Sequence, residues 1–137
     1  MVRLVFTALA ALALSAGSAF AQTKIEHAPI KNVKASDAKA MFDSYCAVCH
    51  GKAGKGDGPA ARALAKVPAD LTTISARNKG AFPDTRVRRY IQGLDEVAAH
   101  GSRDMPMWGS LFNSLSRDTA ELRVAALADY IKGMQVP

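Results

Sequence analysis

The chain has 137 residues, is 49% hydrophobic and 22% charged, and carries a formal net charge of +6. That length suits one domain, and no long basic run is present to follow a phosphate backbone, so nucleic acid is excluded as the natural partner. A modest basic balance favours acidic protein partners through electrostatic steering.

The N-terminus reads as an export signal. Met1-Val2-Arg3 is a charged start, 4–16 is an uncharged Ala/Leu-rich run, and Ala19-Phe20-Ala21 is a small-x-small cleavage site before polar Gln22. The sequence therefore predicts a signal peptide over 1–21, removed after Ala21, and no stable membrane insertion once it is cut. The alternative is a retained anchor, since the apolar run approaches spanning length. No cysteine follows the apolar run to accept a lipid.

Residues 22–35 lack periodicity and contain Pro29, so they are expected to be an extended or mobile lead-in to a domain over 36–137. Ser36 is the expected N-cap of a helix over 37–46, with Asp37 in its first turn. Met41, Phe42 and Tyr45 form its apolar face.

Cys46-Ala47-Val48-Cys49-His50 follows and holds both cysteines of the chain. Thiols at i and i+3 share one helix face and are spaced to add to the two vinyl groups of one haem. The next residue then offers an imidazole to the iron. A thioredoxin-like redox pair expects a preceding strand, and the residues before Cys46 read as helical. A structural zinc site needs four ligands, yet only His27 and His100 remain, far apart in sequence. A Cys46–Cys49 disulfide would close too small a loop to constrain much.

Residues 51–59 carry four glycines and Pro59, which predicts a tight loop forming a wall of the cofactor pocket. A short helix is expected over 60–65, then a second loop from Pro68-Ala69-Asp70-Leu71. A further helix is expected from Pro83, capped by Asp84 or Thr85. Its apolar face is Val87, Tyr90, Ile91 and Leu94, and Gly93 is its terminator. Arg86, Arg88 and Arg89 include the opposite face; solvation is their expected role, with a haem propionate as the alternative. A loop follows over 100–109. The last helix opens on Asp118-Thr119-Ala120-Glu121, which resembles a capping box. It carries Val124, Leu127, Ile131 and Met134 at helical spacing, with Tyr130 beside them and Gly133 near the end. No strand or repeat is evident, so the fold class is all-α.

A haem held by one histidine has a sixth position to fill. Met41 sits on the motif's own helix, Met134 belongs to an apolar stripe, His27 lies in the lead-in, and His100 reads as a polar loop residue. Met105 and Met107 share a loop stiffened by Pro106, and either is able to reach the iron.

Over 36–134 the chain resembles the class I c-type cytochromes. The resemblance rests on Phe42-x-x-x-Cys46-x-x-Cys49-His50, Gly56-Asp57-Gly58-Pro59-Ala60, Ile91-x-Gly93, Met105-Pro106-x-Trp108-Gly109 and Ala128-Asp129-Tyr130-Ile131, in that order. It implies about three main helices, plus short ones, around one covalently bound haem c. The first and last helices would cross where Phe42 meets Tyr130. Ala38 stands where the family has a glycine. The resemblance also makes Cys46 and Cys49 the thioether anchors, His50 the proximal ligand and Met105 the distal ligand, with Met107 as the alternate. Pro59 would accept a hydrogen bond from His50 through its carbonyl, and Leu64, Leu71 and Trp108 would line the pocket.

The function implied is periplasmic electron transfer to and from redox proteins with acidic docking surfaces, guided by Lys52 and Lys55, not catalysis. The alternatives are a haem-bearing subunit of a dehydrogenase, oxidase or sulfur-oxidising complex, or an open-site haem enzyme or sensor. The last would need both Met105 and Met107 to stay off the iron.

Overall fold

The computed structural model describes residues 30–95 and 105–136. The expected leader over 1–21, His27 and the His100–Arg103 stretch lie outside the described residues.

The helix that carries the cysteine pair runs on through His50 in three registers. These are α1 (Ala38–Met41), a π-turn (Phe42–Cys46) and α2 (Ala47–His50). Asp37, not Ser36, caps it: the Asp37 carboxylate accepts from the Ala40 amide at 2.9 Å. That amide would otherwise lack a partner in the first turn. Single π-turns inside α-helices are frequent at functional sites, and this one ends on Cys46.

The expected helix over 60–65 is a single 3-10 turn (Ala61–Ala63). A second 3-10 turn (Leu71–Thr73) leads into α3 (Ile74–Arg77), and α4 (Asp84–Gln92) follows. Pro83 sits at the N-cap of α4, and neither Asp84 nor Thr85 caps it. Gly93, at φ +78°, ends α4 as expected. The Leu94 amide donates to Arg89 O and the Gly93 amide to Tyr90 O, a Schellman closure. Val87 and Ile91 are buried, whereas Leu94, beyond the closure, is exposed.

Then come α5 (Trp108–Leu115), a 3-10 turn (Arg117–Thr119) and α6 (Ala120–Gly133). The capping box does not form. Thr119 sits at the N-cap without a side-chain bond, and Glu121 instead accepts from Gln92 Nε2 at 3.0 Å. The preceding 3-10 turn already engages the Ala120 amide, which donates to Arg117 O, so the cap has less to do.

The described part of the unit Lys31–Pro137 is all-helical, as expected. Met41, Phe42, Phe112, Leu127 and Val124 are its largest fully buried side chains. The helix carrying the cysteines meets α6 where the Phe42 and Tyr130 rings lie 5.3 Å apart, tilted by 47°, the contact the resemblance implies.

The end of the lead-in carries no helix over 30–34 and is held against the core. The Tyr45 hydroxyl donates to Lys31 O at 2.6 Å and accepts from the Val33 amide at 3.2 Å. Buried Arg123 donates to Val33 O and to Asn32 Oδ1. Val33 itself is buried in the core.

Candidate functional site

The end of α2 leaves carbonyls that need donors, and the glycine-rich loop supplies them. Gly51 N donates to Ala47 O, Ala60 N to Val48 O at 2.9 Å, Gly58 N to Cys49 O at 3.0 Å and Gly56 N to His50 O at 2.8 Å. The loop must come very close to do this. A Cβ on Gly58 would sit 2.5 Å from Val48 O and 2.6 Å from Ala47 O. The glycines thus serve an approach to the helix end. Residues 51–59 do not line the adjoining cleft, and Pro59 is exposed, which corrects the expectation that this loop walls the pocket.

His50 Nδ1 lies 3.0 Å from Ala69 O. A carbonyl only accepts, so Nδ1 carries the proton and Nε2 keeps its lone pair for a ligand. This corrects the expected partner: Ala69, not Pro59, provides the carbonyl. Burial holds the His50 pKa below its usual value, with the Ala69 bond opposing, which favours the neutral ring. Burial, then the neighbouring Cys49, pushes the Cys46 thiol up to about 12.

Cys46, Cys49 and His50 open onto one cleft of about 620 Å³, in the size range of cofactor pockets. Leu64, Leu71, Met105 and Trp108 line it, and so do Ile74, Val87 and Ile91. Lys66, Arg77, Asn78 and Arg86 add polar groups to its wall. Of the three arginines of α4, Arg86 lies on the cleft, its guanidinium 5.5 Å from the centre of the Tyr90 ring. Arg88 pairs with Asp84 and Asp129, and Arg89 with Asp95. Met107 is not on the cleft wall. It packs over Gly93, where an added Cβ would come 2.7 Å from Met107 Cγ.

The residues the sequence misses here are Ala69, Arg77 and Ile74. Ala69 acts through its backbone, which no side-chain pattern reveals. The breaker run Pro68-Ala69-Asp70 was its single signal.

Two thiols three residues apart, an imidazole behind them and a mostly apolar cleft fit haem c. Among the described residues no group of three or more His, Cys, Asp or Glu is placed to hold a bare metal ion. This fold and donor set define a c-type cytochrome domain, which carries covalently bound haem c and transfers electrons through it. The model of the family described as cytochrome c oxidase, cbb3-type, subunit III matches residues 33–131, and the chain belongs to that family. No curated protein and no solved structure matches the chain significantly.

Proposed function

We propose that this chain is an exported, periplasmic electron carrier whose haem iron is held by His50 on one side and Met105 on the other. The observation that carries the reading is that Met105 lines the cleft shared by Cys46, Cys49 and His50, while Met107 packs over Gly93 away from it. The haem supplies a one-electron couple when bound. Cys46 and Cys49 would tether it, and the His50 imidazole, its ring set by Ala69 O, and the Met105 thioether would be the ligands of its iron. A soft thioether and an apolar cleft both favour the reduced state. With both axial positions filled, no coordination site is left for a substrate, which argues for a carrier and against an enzyme. Lys52 and Lys55 are exposed on the loop directly after the motif, which supports docking to acidic partner surfaces.

The family match favours a second reading, a haem-bearing subunit of a terminal oxidase. Among the described residues no helix is long and apolar enough to cross a membrane.

The test is optical. The oxidised holoprotein should show the weak near-infrared band of methionine–ferric coordination, lost in Met105→Ala and kept in Met107→Ala. Loss in Met107→Ala alone would overturn the ligand assignment. Rapid carbon monoxide binding by the reduced native protein would favour an open-site enzyme or sensor. Stable co-purification with an oxidase would favour the subunit reading over a free carrier.

A further inference from the structure

The strap that presents Ala69 O to His50 is held from the far end of the chain. Gln135 reaches three backbone groups at once. Its Oε1 accepts from Ser75 N at 2.8 Å, and its Nε2 donates to Leu71 O at 2.7 Å and to Ile131 O at 2.9 Å. The next residue adds a fourth tie, Val136 N donating to Thr72 O at 2.9 Å. On its other side the strap is tied to the glycine loop, Leu71 N donating to Gly54 O at 2.7 Å. Within it, Asp70 Oδ1 accepts from Thr72 N at 2.8 Å and from Thr72 Oγ1 at 2.6 Å. Ala69 is therefore followed by a segment, 70–75, whose backbone has little freedom to move, and Leu71 and Ile74 of that segment line the cleft.

We propose that Gln135 is a positioning residue for the proximal histidine. It sets the register of the 69–75 strap against the end of α6, and through Ala69 O it fixes the His50 ring and the donor strength of Nε2. A hydrogen bond from the far nitrogen makes a ligating imidazole more basic. A more basic imidazole stabilises ferric over ferrous iron. Loosening the strap should thus weaken the Nδ1–H bond and raise the reduction potential. The inference rests on His50 being an iron ligand.

The experiment uses the haem-loaded protein and its Gln135→Met and Gln135→Glu variants. Met fills the same space without any of the three bonds. Glu keeps an acceptor for Ser75 N but turns a second acceptor toward Leu71 O and Ile131 O. Asn32→Ala serves as the control, because Asn32 lies in the lead-in and the bond it loses is to Arg123 of α6, not to the strap. Two quantities are read: the reduction potential, and the solvent exchange rate of the His50 Nδ1 proton in the reduced protein by NMR.

Loss of one hydrogen bond's worth of restraint corresponds to about tenfold faster exchange. Both Gln135 variants should show that acceleration together with a higher potential, and Asn32→Ala should show neither. If both Gln135 variants keep the native potential and exchange rate, or if Asn32→Ala shifts them equally, Gln135 supports only general stability and the proposal fails. If the native protein shows no histidine-ligated low-spin spectrum at all, it is the functional reading that fails instead.

Discussion

Phe42 and Tyr130 hold the crossing of the first and last helices, their ring centroids 5.3 Å apart. Phe42 is fully buried, and the Ala38 methyl, where the resemblance has a glycine, does not prevent the contact. Phe42→Ala should cost about 3–5 kcal/mol. The aromatic pair itself accounts for about 0.5–1.5 kcal/mol of it, so Tyr130→Leu should cost much less. Denaturant melts of the haem-loaded variants check both, and equal losses would show that ring pairing, not packing, governs the crossing.

Arg123 pins the lead-in to the core. It is 4% exposed, and its guanidinium donates to Val33 O and Asn32 Oδ1, with no carboxylate among its hydrogen-bond partners in the described residues. Arg123→Ala removes two charge-assisted bonds worth about 1.5–3 kcal/mol each. The lead-in should then detach before the rest unfolds. Limited trypsin digestion should cut after Lys31 and Lys34 much faster in the variant. An unchanged cleavage rate at those two sites would show that Tyr45 alone holds the lead-in.

Glycine effects should separate cleanly by position. An added Cβ on Gly58 meets only backbone, at 2.5–2.6 Å. Gly58→Ala must push the loop off the carbonyls of α2, at a cost of about 1–3 kcal/mol. At Gly133, the last residue of α6, nothing lies within 4 Å of the added Cβ. There, alanine should stabilise by about 0.5–1 kcal/mol through helix propensity. Thermal melts of the two variants should move in opposite directions. A shift of the same sign would sink the steric account.

What could be read from the sequence follows from how each signal is encoded. The Cys46–His50 spacing, the Val124-Leu127-Ile131 stripe and Gly93 as a terminator are side-chain patterns, and the structure agrees with each. The Phe42–Tyr130 contact came from resemblance and also agrees. The helix α5 escaped because Trp108–Leu115 is rich in Gly, Ser and Asn, poor helix formers. Burial of Phe112 and the close approach of Gly109 to Gln92 O hold it there, a tertiary effect with no local mark. The helix α3 is four residues long, too short for a period to show. The partner of His50 was misassigned because the acceptor is a backbone carbonyl, and every residue but its geometry offers one.

The strap that supplies that carbonyl also makes a pH prediction. The Asp70 carboxylate accepts from the Thr72 hydroxyl and then from the Thr72 amide, and these bonds hold its pKa below the ordinary 3.8. The folded state therefore favours the ionised form more than the unfolded chain does. A depressed carboxylate pKa stabilises the fold at every pH above the unfolded value, and that gain is lost as pH falls through the lower, folded value. Asp70→Asn forfeits the gain from the start, so the gap in melting temperature between native and variant should be flat from about pH 5 to 8. It should narrow once the pH drops below 3.8, because the native protein then loses the advantage the variant never had. Because Asp70 is solvent-accessible the gap should be small, and it belongs to the hydrogen bonds, so added salt should leave most of it in place. A gap that widens on acidification would contradict the depressed carboxylate pKa itself, and one that vanishes in salt at neutral pH would mean that the carboxylate acts through charge on Arg77 and Lys55 instead.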